Sequence, residues 1–220
     1  MHMHSCIFEP TEIYFMYWYE EEVKRVEHER KNIGYNPKTI FYGSSSIRLW
    51  ESLYQDFAKY NPVNLGFGGS TLEACVYFFE RIMEPYNPGY FVIYAGDNDL
   101  GDGRKPDEVH NYFIQLCKCI TECFGRVPMS YISIKPSLQR WQINDAIHYT
   151  NLLIQQTISR HSGHMYFVDV YSSMIGEDGF PEKKFYAEDG LHLSKEGYTL
   201  WKKILLTHIS LNNDSSLMLT

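Results

Sequence analysis

Four short segments of this chain hold residue types that together can run acyl-transfer chemistry: Gly43-Ser44-Ser45-Ser46, Asn64-Leu65-Gly66-Phe67-Gly68-Gly69-Ser70, Gly96-Asp97-Asn98-Asp99 and Asp189-Gly190-Leu191-His192. A serine hydroxyl is a poor nucleophile until a base removes its proton, and histidine is the side chain that titrates near neutrality. His192 is the candidate base. Asp189, three residues earlier on the same loop, can turn its carboxylate onto one ring nitrogen, fix the tautomer and stabilise the imidazolium. Of the nine histidines, His2 and His4 sit at the terminus and His28, His110, His148, His161 and His208 sit in or near helical patterns, while His164 precedes a strand without a comparable acid. On spacing alone Ser44, Ser45 and Ser46 all stay open as the nucleophile. The oxygen of a tetrahedral intermediate needs preset donors, each lowering the barrier by roughly 3 kcal/mol. The candidates are the backbone N–H of Ser45, the backbone N–H of Gly69 and the side-chain amide of Asn98. Ser70-Thr71-Leu72-Glu73 matches a capping box and so puts Gly69 at a helix N-terminus. Asp97 and Arg140 are candidate substrate contacts, with Asp97 and Asp99 also read as braces for the loop that carries Asn98.

These residues must be positioned by the elements around them. The periodicity predicts a helix over Thr11–Lys31, strand Thr39–Tyr42, helix Ser46–Tyr60, strand Val63–Leu65, helix Thr71–Met83 and strand Tyr90–Tyr94. It continues with helix Asp107–Phe124, strand Met129–Ile134, helix Ile143–Arg160, strand Met165–Val170 and helix Lys195–Ile209. Strands alternating with helices imply parallel strands joined by right-handed crossovers, hence a three-layer α/β/α sandwich. In open sheets of this kind ligands bind beyond the carboxyl ends of the strands, where the first three segments fall. Any one segment alone is ordinary turn chemistry, since such loops are rich in Gly, Ser, Asn and Asp.

Together, in this order, the segments resemble the SGNH hydrolases of the GDSL esterase/lipase superfamily over roughly Thr39 to His208. The resemblance maps the family's four blocks onto Ser45, Gly69, Asn98 and the Asp189/His192 pair, and selects Ser45 as nucleophile because it stands second after the strand-ending glycine. It implies a flavodoxin-like five-stranded parallel sheet of order 2-1-3-4-5, a cofactor-free and metal-independent acyl-enzyme mechanism, and small-molecule esters, thioesters or acetylated sugars as substrates. One departure stands out: the family's first block usually reads Gly-Asp-Ser, and here Ser44 takes the place of the acid. A catalytically weak domain that binds a carbohydrate or acyl ligand is therefore a rival reading, and acyl transfer to an alcohol a third.

Bulk properties narrow the alternatives. The 220 residues suit one domain, divided here into a helical extension packed on it at 1–36, the hydrolase domain at 37–210 and a tail at 211–220. A net charge of -7 without a dense basic run argues against nucleic acid. The 16% of aromatic residues suggests a surface or cleft suited to stacking. The five cysteines (Cys6, Cys75, Cys117, Cys119, Cys123) form no CxxC pair and suit free thiols in the cytoplasm, and no window is apolar enough to span a membrane. Asp97–Gly103 resembles a calcium loop but has Asp102 where the sharp turn wants Gly. Gly66-x-Gly68 lacks the third glycine of a dinucleotide fingerprint, and Ser45 lacks the G-x-S-x-G elbow of an α/β-hydrolase. The loop Lys135–Trp141 is the expected extra wall of the site, and the lack of a long apolar lid favours a small or polar acyl group. The aromatic N-terminal helix is read either as a homodimer contact or as a cover for the sheet's edge.

Overall fold

The run Thr-Ile-Phe-Tyr-Gly is apolar on both faces, as an interior parallel strand must be, and forms β1 (Thr39–Gly43) with every residue buried. The structure, a computed structural model, describes residues 16–161 and 163–216. On one side β1 pairs with β2 (Pro62–Gly66) and on the other with β3 (Tyr90–Tyr94), followed outward by β4 (Met129–Ile132) and β5 (Met165–Val168). All neighbours are parallel, in the expected order β2-β1-β3-β4-β5. The order reverses between β1 and β3, which opens a crevice beyond their carboxyl ends.

The helices, in chain order, are α1 (Glu20–Asn32), α2 (Ser45–Arg48), α3 (Leu53–Asp56), α4 (Leu72–Met83), α5 (Asp97–Gly101), α6 (Pro106–Phe124), α7 (Asn144–Arg160), α8 (Tyr171–Met174) and α9 (Lys195–Ser216). Strand alternation sorts them into layers. Ile40, Tyr42, Ile93 and Tyr131 face a core closed by α4, α6 and α7, whereas Phe41, Val92, Tyr94 and Val168 face a second core closed by α2, α3 and α9. The aromatic residues are largely spent on these cores. Behind α2, Trp50 meets Phe57 at a ring-centroid distance of 5.4 Å and Trp201 at 6.2 Å, and loss of such a buried tryptophan costs about 3–5 kcal/mol.

Several elements differ from the expected ones for local reasons. The helix expected over Ser46–Tyr60 is broken into α2, α3 and a 3₁₀ turn at Ala58–Tyr60. Trp50 Nε1 and Ser52 Oγ both donate to Asp56 Oδ2, at 2.9 and 2.6 Å, and this side-chain network replaces regular helix between the pieces. The bend lets Ile47, Trp50, Leu53 and Phe57 all reach the core. The N-terminal helix α1 begins at Glu20 after a 3₁₀ turn at Tyr17–Tyr19, and the expected start over Thr11–Phe15 lies outside the described residues, as do residues 217–220 of the tail. α9 runs past the expected Ile209 to Ser216, because no glycine or proline follows Gly197 to stop it. The short α5 and α8, each directly beyond a strand, carry too few residues for a periodic signal. α1 lies against β2, the edge strand. Among the described residues no helix is long and apolar enough to cross a membrane.

Candidate active site

At the carboxyl end of β1 the chain turns sharply from strand into α2. Gly43 makes the turn at φ +134°, and a Cβ there would fall 1.9 Å from the carbonyl oxygen of Tyr94 on β3. Only glycine permits both the backbone angle and the approach. Ser44 follows as the N-cap of α2, its N–H donating to that same Tyr94 oxygen at 2.9 Å. Burial then separates the three serines: Ser44 and Ser46 are buried, and Ser45 is half-buried, on the first turn of α2. The Ser44 hydroxyl, standing where the first block usually has an acid, meets no hydrogen-bond partner among the described residues.

Asp189 and His192 sit on a tight turn held at both ends. Tyr186 and Leu193 form an antiparallel bridge, and the Ala187 N–H donates to His192 O at 2.8 Å. Gly190 N–H donates back to Ala187 O at 3.0 Å, and its own carbonyl accepts from Gln139 N–H at 3.1 Å. The carboxylate of Asp189 accepts the N–H groups of Leu191 and His192 on Oδ1, both at 2.9 Å. Its Oδ2 lies 2.6 Å from His192 Nδ1. Partial burial works against ionisation of Asp189, but the bonds from the His192 ring and the two N–H groups outweigh it and hold the carboxyl down to about 2. The carboxylate thus fixes the proton on Nδ1 and leaves Nε2 as an acceptor, 3.2 Å from Ser45 Oγ. Other histidines are engaged elsewhere: Nδ1 of His28 and of His161 bonds a carbonyl of its own helix, and His110 Nε2 meets Thr157 Oγ1 at 2.7 Å.

The remaining two segments are bonded to each other. Gly69 adopts φ +72°. The cap of α4 is Thr71, whose Oγ1 accepts from Ala74 N–H at 3.1 Å, so the capping box expected from Ser70 does not form. Glu73 is drawn away from the helix end by Arg104 and by Tyr112 Oη, the latter at 2.8 Å. Asn98 lies in the first turn of α5 and donates one Nδ2 hydrogen to Ser70 O at 3.0 Å, leaving the second available. Asp99 is buried, and its two oxygens receive the Leu72 N–H at 3.1 and 2.9 Å.

Arg140 and Asp97 stand behind Asn98. Arg140 presents Nη1 and Nη2 to Asn98 Oδ1, each at 3.2 Å, and Nη1 also donates to Asp97 O at 2.7 Å. The carboxylate of Asp97 is buried against Lys135 Nζ at 3.3 Å. Burial pulls the Lys135 ammonium below its ordinary range, partly offset by Asp97. Asp97 and Asp99 are thus both turned inward. Neither Lys135 nor the hold of Arg140 on Asn98 carries a sequence signal, because both depend on the Lys135–Arg140 loop folding back over α5. Two clefts flank the site. One of about 670 Å³ is lined on the histidine side by Leu49, Asp189, His192 and Tyr198, and one of about 520 Å³ on the other side by Trp18, Tyr19, Gly69, Glu73 and Asn98.

Residues 34–200 match the family model described as the GDSL-like Lipase/Acylhydrolase family. The chain belongs to that family. Solved structures agree on the fold of this GDSL-like acylhydrolase. A Streptococcus pneumonia protein described provisionally as a platelet activating factor is 20% identical, with a TM-score of 0.77 over 91% of this chain and 99% of its own. A GDSL-like lipase from Bacteroides thetaiotaomicron is 21% identical, with a TM-score of 0.71 over 86% and 97%. A carbohydrate esterase family 3 protein from Talaromyces cellulolyticus is 14% identical, with a TM-score of 0.66 over 80% and 98%. Among curated proteins none matches this chain.

Proposed function

We propose that this GDSL-like acylhydrolase is a serine-dependent carboxylic ester hydrolase working through an acyl-enzyme. The observation that carries the reading is the continuous Asp189–His192–Ser45 contact, 2.6 Å from carboxylate to ring and 3.2 Å from ring to hydroxyl. His192 Nε2 takes the proton of Ser45 Oγ as the oxygen attacks the ester carbonyl, and Asp189 stabilises the imidazolium. The oxyanion is received by the N–H groups of Ser45 and Gly69 and by the free Nδ2 hydrogen of Asn98. The intermediate collapses as His192 returns the proton to the departing alcohol, and water then repeats the sequence on the acylated serine. The chemistry needs no group beyond these residues and water. Ser44 leaves the reaction class unchanged, since its buried hydroxyl takes no part in these steps.

The substrate proposed is an ester with a small or polar acyl group, with O-acetyl groups on a carbohydrate as a candidate. The carbohydrate esterase neighbour, and a 16% identical acetyl xylan esterase with a TM-score of 0.67, support this class. Residues 37–210 are proposed as the hydrolase domain, with 1–36 as an accessory extension. A cytoplasmic setting is supported by the absence of disulfides among the described cysteines. The test is hydrolysis of 4-nitrophenyl acetate, with a metal chelator present, by the protein and by its Ser45→Ala variant. Turnover that survives the chelator and drops at least a thousandfold in the variant is expected. Equal turnover in both would overturn the assignment, and no turnover in either would favour a binding domain. A series of nitrophenyl esters should peak below about six carbons, and a peak at ten or more would refute the small-acyl reading.

A further inference from the structure

Each residue of the glycine-rich turn that presents the Gly69 N–H is held by the N-terminal segment. Arg25 Nη2 donates to Gly66 O at 2.6 Å. The Tyr19 ring meets the Phe67 ring edge-on at 5.9 Å, and its hydroxyl donates to Gly69 O at 3.4 Å. Gly68 N–H donates to Glu22 Oε2 at 2.8 Å. The same Glu22 oxygen lies 2.9 Å from Arg48 Nε, and Arg48 is the last residue of α2, the helix that begins with Ser45. One carboxylate oxygen therefore joins α1, the glycine turn and the nucleophile's helix. All three holding residues precede the family-matched segment, which starts at residue 34.

From this geometry we infer that α1 is a clamp on the oxyanion turn, with Glu22 as a positioning residue that sets the Gly69 N–H against Ser45. The inference rests on the proposed ester chemistry. A turn with glycine at three of four positions has unusual backbone freedom, and oxyanion donors act only when preset. A displacement near 1 Å can cost on the order of a hundredfold in rate. Glu22 removes that freedom at Gly68, the residue directly before the donor. The carboxylate meets no substrate; it acts through the backbone.

The experiment compares Glu22→Ala, Glu22→Gln and Glu21→Ala with the unmodified chain in 4-nitrophenyl acetate hydrolysis, alongside amide hydrogen exchange at Gly68. Glu21 sits on the same helix turn but pairs outward with Lys24, so its variant keeps full activity. Glu22→Ala is expected to lower kcat about tenfold with KM within twofold, and to speed Gly68 exchange at least tenfold. Glu22→Gln retains an oxygen that accepts the Gly68 N–H and should recover kcat to within about threefold. Unchanged kcat and exchange in Glu22→Ala, a loss confined to KM, or failure of glutamine to rescue would each overturn the clamp while leaving the ester chemistry standing. If the unmodified chain shows no Ser45-dependent turnover, the ester reading falls and the clamp falls with it.

Discussion

Asp99 offers a quantitative test of how the site is braced. Its carboxyl is fully buried, and that burial pushes it from the ordinary 3.8 up to about 7, against the opposing pull of the Leu72 N–H and the Arg104 charge. Between pH 4 and 7 the folded protein holds a proton on Asp99 that the unfolded chain has released. The contribution of Asp99 to stability therefore falls with rising pH, by about 1.4 kcal/mol per unit and about 4 kcal/mol across the interval. Asn at this position keeps the shape and an oxygen for Leu72 N–H but cannot titrate. The assay is urea unfolding of both proteins at pH 4, 5, 6, 7 and 8, followed as the difference in unfolding free energy. Groups such as Asp189, whose lowered pKa stabilises the fold above its unfolded value and loses that effect as the pH falls, are common to both proteins and cancel. Asp99→Asn should gain on the parent by up to about 4 kcal/mol from pH 4 to 7 and then level off. A difference flat within about 1 kcal/mol, or one that grows in favour of the parent, would refute the reasoning by showing an Asp99 ionised throughout in the folded state.

Three further outcomes are expected. Arg140→Ala releases the Asn98 amide to rotate and should lower kcat about tenfold in 4-nitrophenyl acetate hydrolysis with KM nearly constant, whereas a rise in KM alone would make Arg140 a substrate contact. Gly43→Ala drives a methyl group into the Tyr94 carbonyl and should cost at least about 3 kcal/mol in thermal or urea unfolding. Asp97→Ala strands Lys135 in the core and should cost about 3–5 kcal/mol by urea unfolding, much of it regained when Lys135→Met is added.

The sheet was legible because its strands are short apolar runs bounded by turn residues, so that even Tyr90–Tyr94 is placed to the residue. The Asp189 and His192 pair was legible for a related reason: both partners lie within one turn, so their spacing carries their geometry. Ser45 could not be told from Ser44 and Ser46 by spacing. What distinguishes it is the direction of each side chain as the chain leaves β1, which needs the Gly43 turn in three dimensions. Glu22 and Arg25 carry no sequence signal, since their backbone partners lie 46 and 41 residues away. The capping box failed where Arg104 and Tyr112 outcompeted the helix end for Glu73. The break between α2 and α3 was hidden because Ile47, Trp50, Leu53 and Phe57 keep helical spacing across it.

The proposed acid and base are three residues apart in the chain, while the proposed base and nucleophile are 147 apart. The first contact closes a loop so small that it can form as soon as its turn does; the second closes nearly the whole domain and bears its entropy. On refolding, the Asp189–His192 turn can organise early, and the hydroxyl meets the ring only when strands from both halves of the chain have paired. Recovery of Ser45-dependent turnover then reports completion of the entire sheet, later than any signal from secondary structure.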